Sequence, residues 1–197
     1  MVTQPSLLVN VLIVVGESSW IFGAEAQLRK LKRTHNARGL SALTQTLNTA
    51  GNIGWCTYFA LNHLWFPFFT NIIFFILGVA ILGYILLDRE KFIKGLLAIL
   101  IIGPITSYVL LRAPSDSGWL GVMYNWIAAT PWLIKIIYTK KVSGISEKSL
   151  YYGICAMSCT LAYGLIIHSQ PLVVGCLRGF IYTAVIMLYY YRYRRRR

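Results

Sequence analysis

Acidic residues are scarce in this chain: six Asp and Glu stand against 19 Lys and Arg among 197 residues, and all charged types together make up only 13%. So little charge cannot coat a soluble domain of this length, and a mean hydropathy of +0.60 excludes one on the same ground. Cysteine is sparse too. Cys56, Cys155, Cys159 and Cys176 all fall inside apolar runs, with Cys155 and Cys159 one helical turn apart, which suggests neither a disulfide framework nor zinc-ligand spacing; reduced thiols in a packed interior are expected. No metal-ligand cluster, nucleophile–base pair or phosphate-binding loop can be assembled from the remaining residues, so neither enzyme chemistry nor a cofactor is expected. Long polar connections are also missing, which leaves no room for a separate soluble domain.

What the chain has is apolar length. A helical crossing of a bilayer takes about 20 largely apolar residues, and seven stretches qualify: 7–27, 40–61, 65–87, 92–111, 119–138, 150–167 and 172–191. Uninterrupted runs of this kind read as helices, not as the short alternating strands of a barrel. The expected class is therefore an all-α integral membrane protein with seven transmembrane helices. The first span lacks a basic leader, is long for a secretory signal and contains Glu17, so it is expected to be retained.

The formal charge of +13 raises a nucleic-acid reading, and the position of the charges decides against it. Arg29, Lys30, Lys32, Arg33 and Arg38 follow span 1; Arg89, Lys91 and Lys94 follow span 3; Lys135, Lys140, Lys141 and Lys148 surround the connection after span 5; Arg192 and Arg194 to Arg197 follow span 7. All lie on one side of a seven-span layout, whereas the other side carries only Arg112, offset by Asp116. Positive-inside bias then places the N-terminus outside and the C-terminus in the cytoplasm, with the plasma (inner) membrane the expected location. The basic clusters are matched to anionic lipids on the cytoplasmic side, and no aromatic-interleaved basic surface exists for nucleic acid.

Those clusters also expose a duplication. Lys30 to Ser41 reads K-L-K-R-T-H-N-A-R-G-L-S, and Lys135 to Ser146 reads K-I-I-Y-T-K-K-V-S-G-I-S. Aligning Gly39 with Gly144 sets an offset of 105 residues, which without a gap also pairs Ala24/Ala129, Leu28/Leu133, Lys30/Lys135, Tyr58/Tyr163, His63/His168, Phe75/Phe180 and Tyr84/Tyr189. Spans 1–3 thus match spans 5–7. A three-span unit starts and ends on opposite sides, so span 4 is needed before the second copy can enter in the same orientation. The expected architecture is two parallel triple-helix bundles joined by a linker helix (3+1+3): residues 1–87, a linker over 88–118, residues 119–191, and a basic tail over 192–197.

A 3+1+3 layout with a basic loop and G-[LI]-S after the first span of each half resembles the PQ-loop superfamily, which includes the SWEET (MtN3-like) sugar transporters and lysosomal amino-acid exporters. The resemblance covers nearly the whole chain. The name-giving Pro-Gln pair is split here, as Ala26-Gln27 in the first copy and Pro131-Trp132 in the second. After G-L-S the family continues with a Trp, a Tyr three residues on and an Asn in the third span: the first half has Trp55, Tyr58 and Asn71, the second Thr160, Tyr163 and Cys176. The chain is closer to the PQ-loop branch than to SWEETs proper, whose hinge prolines it mostly lacks. The resemblance implies a central pocket of Trp55, Asn71, Thr160 and Cys176. An indole face can cover a sugar ring or apolar surface, and an amide can donate and accept; the competing reading is that these side chains simply pack the bundle.

Bottom-up, Thr44, Asn48, Asn52 and Trp55 share one face of span 2. Such a stripe either joins helices through hydrogen bonds worth about 0.6 kcal/mol each or lines a path to the pocket; the counterparts Ser149, Gly153, Met157 and Thr160 are less polar. Two ionisable groups lie within spans, where a charge costs at least about 2.5–3.5 kcal/mol and so requires a partner or a use. Glu17 could bind a proton or a cationic group. Arg178 could hold a substrate carboxylate, pair with Glu17 or snorkel outward; it lies two residues from Cys176, so the two are not expected to face one cavity squarely. Pro131 is expected to close span 5 and permit a hinge, and Pro104 to kink span 4. His63 and His168 occupy matching outer turns, as surface residues or a gating pair.

The expected function is a small-solute transporter working by alternating access between the two bundles, its substrate a sugar, amino acid or similar polar metabolite. The alternative is a non-transporting receptor or accessory membrane protein on the same fold. Expected partners are the solute, the bilayer and, at most, a second copy of the chain.

Overall fold

The computed structural model describes residues 7–87, 89–112 and 117–194; Asp116, Arg195, Arg196 and Arg197 lie outside them. All regular structure among the described residues is helical: α1 (Leu7–Thr34), α2 (Ala42–Leu61), α3 (Trp65–Leu86), α4 (Arg89–Arg112), α5 (Ser117–Thr139), α6 (Glu147–Ile166) and α7 (Gln170–Arg194). Five of the seven are long and apolar enough to cross a membrane, namely α1, α3, α4, α6 and α7. The expectation of seven apolar spans is thus too uniform. Helix α2 has the length, 20 residues, but carries Thr44, Gln45, Thr46, Asn48, Thr49 and Asn52 between its start and its middle turn. It can do so because α3, α4 and α5 all pack against it, which withdraws its polar face from lipid.

Local chemistry explains where the helices begin and end. The serines of G-L-S and G-I-S are N-caps: Ser41 Oγ accepts from Thr44 N at 3.2 Å, and Ser146 Oγ from Ser149 N at 3.4 Å. His35 after α1 and Lys140 after α5 both adopt left-handed φ, at 46° and 54°, and their N–H groups return to Leu31 O and Ile136 O. His63 and His168, both at φ 55°, close the turns after α2 and α6, with N–H bonds to Ala60 O and Leu165 O. Each pair is related by the 105-residue offset. Both turn histidines are exposed, so their observed work is to reverse the chain.

Six helices contact in a closed ring in the order α1, α3, α2, α5, α7, α6 and back to α1, while α4 packs on the outside of α2 and α3. The α1–α6 seam is closed by small residues: a Cβ on Gly16 would stand 3.1 Å from Cys159 Cβ, one on Gly23 would stand 3.3 Å from Tyr152 Cβ, and Ser19 between them donates to Cys155 Sγ at 3.4 Å. The largest buried cluster includes Leu28, Leu31, Leu40, Ile136, Ile145 and Ile186, at the end of the ring where the two basic loops meet. Pro131 does not close α5, which continues to Thr139. A proline lacks only the donor that would reach residue i−4, and the turns on either side keep the helix going. Pro104 likewise lies inside α4.

Candidate functional site: a cavity inside the six-helix ring

A cavity of about 320 Å³ lies within the ring and is lined by α1, α2, α3, α5, α6 and α7. Every residue expected at the pocket is on its wall: Asn48, Asn52, Trp55, Asn71, Thr160 and Cys176, together with Glu17 and Arg178. Pro131 is not on the wall, but its neighbour Trp132 is. Thr44, Asn48, Asn52 and Trp55 all reach the cavity, one turn after another along α2. Hydrogen bonding between helices falls instead to the other faces of α2, where Gln45 Nε2 donates to Gly78 O of α3 at 3.1 Å and Thr57 Oγ1 donates to Ser107 Oγ of α4 at 2.8 Å.

The wall is chemically uneven. Trp55 is held in place by Phe59, stacked at 5.7 Å and 28°, and by the edge of Tyr58 at 5.5 Å. Asn71 Nδ2 donates to Pro67 O at 3.0 Å and Thr160 Oγ1 to Ala156 O at 2.9 Å, so each is tied to its own helix and presents its remaining polar capacity inward. Glu17 Oε2 accepts from Thr70 Oγ1 at 2.7 Å. In the second half the equivalent positions are Val122 and Gly175, which meet as an apolar contact, since a Cβ on Gly175 would stand 3.4 Å from Val122 Cγ2. One repeat therefore carries an acid where the other carries valine.

No ion pair joins Glu17 to Arg178, although both line the same cavity. Arg178 packs over the Tyr182 ring at 5.6 Å, and Tyr182 Oη is itself bonded to Thr130 Oγ1 at 3.1 Å. The guanidinium Nε and Nη1 atoms are buried and have no hydrogen-bond partner. Arg178 and Cys176 both line the cavity although they lie about 200° apart on the helix. A long arginine side chain and a short cysteine side chain can border the same cavity from different angular positions on α7.

Wall residues with evident chemistry that carry no expectation from sequence include Asn125, Thr70, Thr183 and Tyr182. Asn125 had a signal, an amide in the middle of an apolar run. Thr70, Thr183 and Tyr182 had none, since threonine and tyrosine occur throughout these helices.

The end of the cavity near Thr44 and Trp132 is closed by crossed bonds between the repeats. Gln27 Nε2 donates to Gly144 O at 2.8 Å, and Gln27 Oε1 accepts from Ser146 N at 2.8 Å. Reciprocally, Trp132 Nε1 donates to Gly39 O at 2.7 Å. Lys30 Nζ donates to Ile145 O at 2.5 Å, and Lys135 Nζ donates to Leu40 O. These donors and acceptors correspond under the 105-residue offset, so each helix end grips the other repeat's G-[LI]-S loop. Gly144 N also donates to Arg38 O at 2.8 Å. The cavity wall continues in the other direction to Phe59, Pro171 and Leu172.

No family model matches the chain, and no curated protein or solved structure does.

Proposed function

We propose that this chain is a small-solute membrane transporter of the PQ-loop kind, in which two three-helix units rock about the central cavity. The observation that carries the reading is the combination of a mixed polar and aromatic cavity with a seal at one end made of bonds exchanged between the two repeats. A receptor needs a pocket; it has no need of a pocket closed by a breakable, repeat-to-repeat contact. In this reading α1–α3 and α5–α7 are the two parallel units, α4 is the linker, and all seven helices cross the plasma membrane with the N-terminus outside. The crossed bonds are then the closed inner gate, and the cavity faces outward. Support comes from the ring itself: the α1–α6, α1–α3 and α2–α3 packings have counterparts in α5–α2, α5–α7 and α6–α7.

Uptake into proteoliposomes, with sugars and amino acids as labelled solutes, tests this directly. A transported solute should lose at least about tenfold in uptake with Trp55→Ala or Asn71→Ala, equivalent to about 1.4 kcal/mol of binding per tenfold. Wild-type uptake in both variants would remove the cavity from the path, and binding without uptake would mark a receptor instead.

Glu17 is the titratable group available for coupling to protons. Glu17→Gln keeps an acceptor for Thr70 Oγ1 and so should preserve the fold. Its uptake should become insensitive to an imposed pH gradient. Retention of the wild-type pH response would exclude Glu17 from coupling.

A further inference from the structure

Among the described residues, two ionisable side chains of opposite type, Glu17 and Arg178, line the cavity, and they are placed differently. Glu17 is already engaged by Thr70, whereas Arg178 has two guanidinium nitrogens sealed from solvent with no acceptor, and no ion pair. Leaving donors of a cation unsatisfied costs more than leaving neutral ones, so a residue in this state is either relieved by something absent from the bare chain or is a net liability. The surroundings favour the first. Tyr182 buttresses the guanidinium and is itself fixed by Thr130, which holds the group at the wall. Gly175, one turn earlier on α7, borders the same cavity without a side chain of its own.

We infer that the cavity takes a small metabolite bearing a single carboxylate, with Arg178 as the group that holds it. This rests on the reading of the cavity as a solute site and narrows its substrate class. A carboxylate supplies two oxygens in the geometry of the guanidinium fork, which a sugar hydroxyl does not. A phosphate ester is disfavoured, because its second negative charge would share the cavity with Glu17. Asn71 and Asn125 offer amides for the rest of the molecule, and Trp55 offers an apolar face.

Thermal unfolding of the purified full chain in detergent tests this with matched probes: glycine, alanine, leucine and lactate, their primary amides at the same concentration, glucose, and inorganic phosphate. At least one acid should raise the unfolding temperature where its amide does not. That shift should vanish with Arg178→Gln and need at least tenfold more acid with Arg178→Lys, while Arg112→Gln, at an exposed position, leaves it intact. Without ligand, Arg178→Gln should unfold at or above the wild-type temperature, because it removes unsatisfied buried donors; an arginine with a purely structural role would lower it. The inference is overturned if no acid outperforms its amide, if glucose or phosphate is the stabilising probe, or if the acid's shift survives Arg178→Gln. Proteoliposome counterflow separates the two readings. Arg178-dependent binding of an acid that is never taken up leaves the carboxylate site standing and sinks transport; uptake of a neutral solute unaffected by Arg178→Gln does the reverse.

Discussion

Gly39→Ala should be the most damaging conservative substitution in the chain, lowering stability by about 2–6 kcal/mol. Two independent costs add. Gly39 holds φ at 92°, where an L side chain is strained by about 1–3 kcal/mol. A Cβ there would also overlap the carbonyl oxygen of Lys141, a backbone atom that cannot rotate away, and overpacking of this sort costs about 1–3 kcal/mol. Gly144→Ala separates the two effects. Its φ lies outside the left-handed region, yet a Cβ would stand 2.6 Å from Asn36 O and 2.7 Å from Arg38 O. It should therefore destabilise by overpacking alone, and by less. Thermal unfolding of the two purified variants checks the order; parental stability in Gly39→Ala would mean that the loops are not in contact. Expressed in the transport reading, either alanine wedges the inner gate, so a variant that still folds should bind solute from the cytoplasmic side more readily than wild type.

Gln27→Leu should cost about 2–6 kcal/mol, although leucine is close in size and suits an apolar setting. Gln27 is buried, and its amide serves both Gly144 O and Ser146 N across the repeat boundary. Removing it strands an acceptor and a donor, at about 1–3 kcal/mol for each buried unsatisfied group. The nearby Glu25–Arg29 pair on the same helix is the control. Its side chains are 39% and 74% exposed, so Glu25→Ala should change stability by less than about 0.5 kcal/mol. Amide hydrogen exchange at Gly144 to Ser146 provides a local readout. It should accelerate in Gln27→Leu and stay unchanged in Glu25→Ala, and equal protection in all three proteins would refute the role of the Gln27 amide as the link between repeats.

How much of this was legible beforehand varies with the range of the interaction. Hydropathy runs placed all seven helices, with α1 extending to Thr34, seven residues beyond its expected end, because its basic last turns remain helical. Apolar length overstated α2. The stretch 40–61 is expected as a span, yet α2 is not among the helices apolar enough to cross a membrane, and α3, α4 and α5 pack against it. The polar stripe from Thr44 to Trp55 was readable as one face, since helical spacing fixes which side chains are neighbours. Its orientation towards a cavity was not readable, because spacing says nothing about what stands opposite. Proline is expected to terminate span 5 at Pro131, yet the flanking turns carry α5 through it.

By itself, the sequence determined the membrane-compatible composition, the helices, the paired G-[LI]-S loops, and the 105-residue register that relates the halves. All of these depend on residues close together in the chain or on identity of type, which a linear reading contains. Only the tertiary structure decided that Gln27 and Trp132 reach across to the opposite G-[LI]-S loops, and that Glu17 and Arg178 share one cavity without pairing. The physical reason is reach. A glutamine amide bonding 117 residues away, or an acid and an arginine from non-adjacent helices lining one cavity, depends on how helices pack around a common axis. No local propensity encodes that packing. The repeated basic loops announced a duplication, and the folded chain turned them into a reciprocal seal over a cavity whose two walls no longer match.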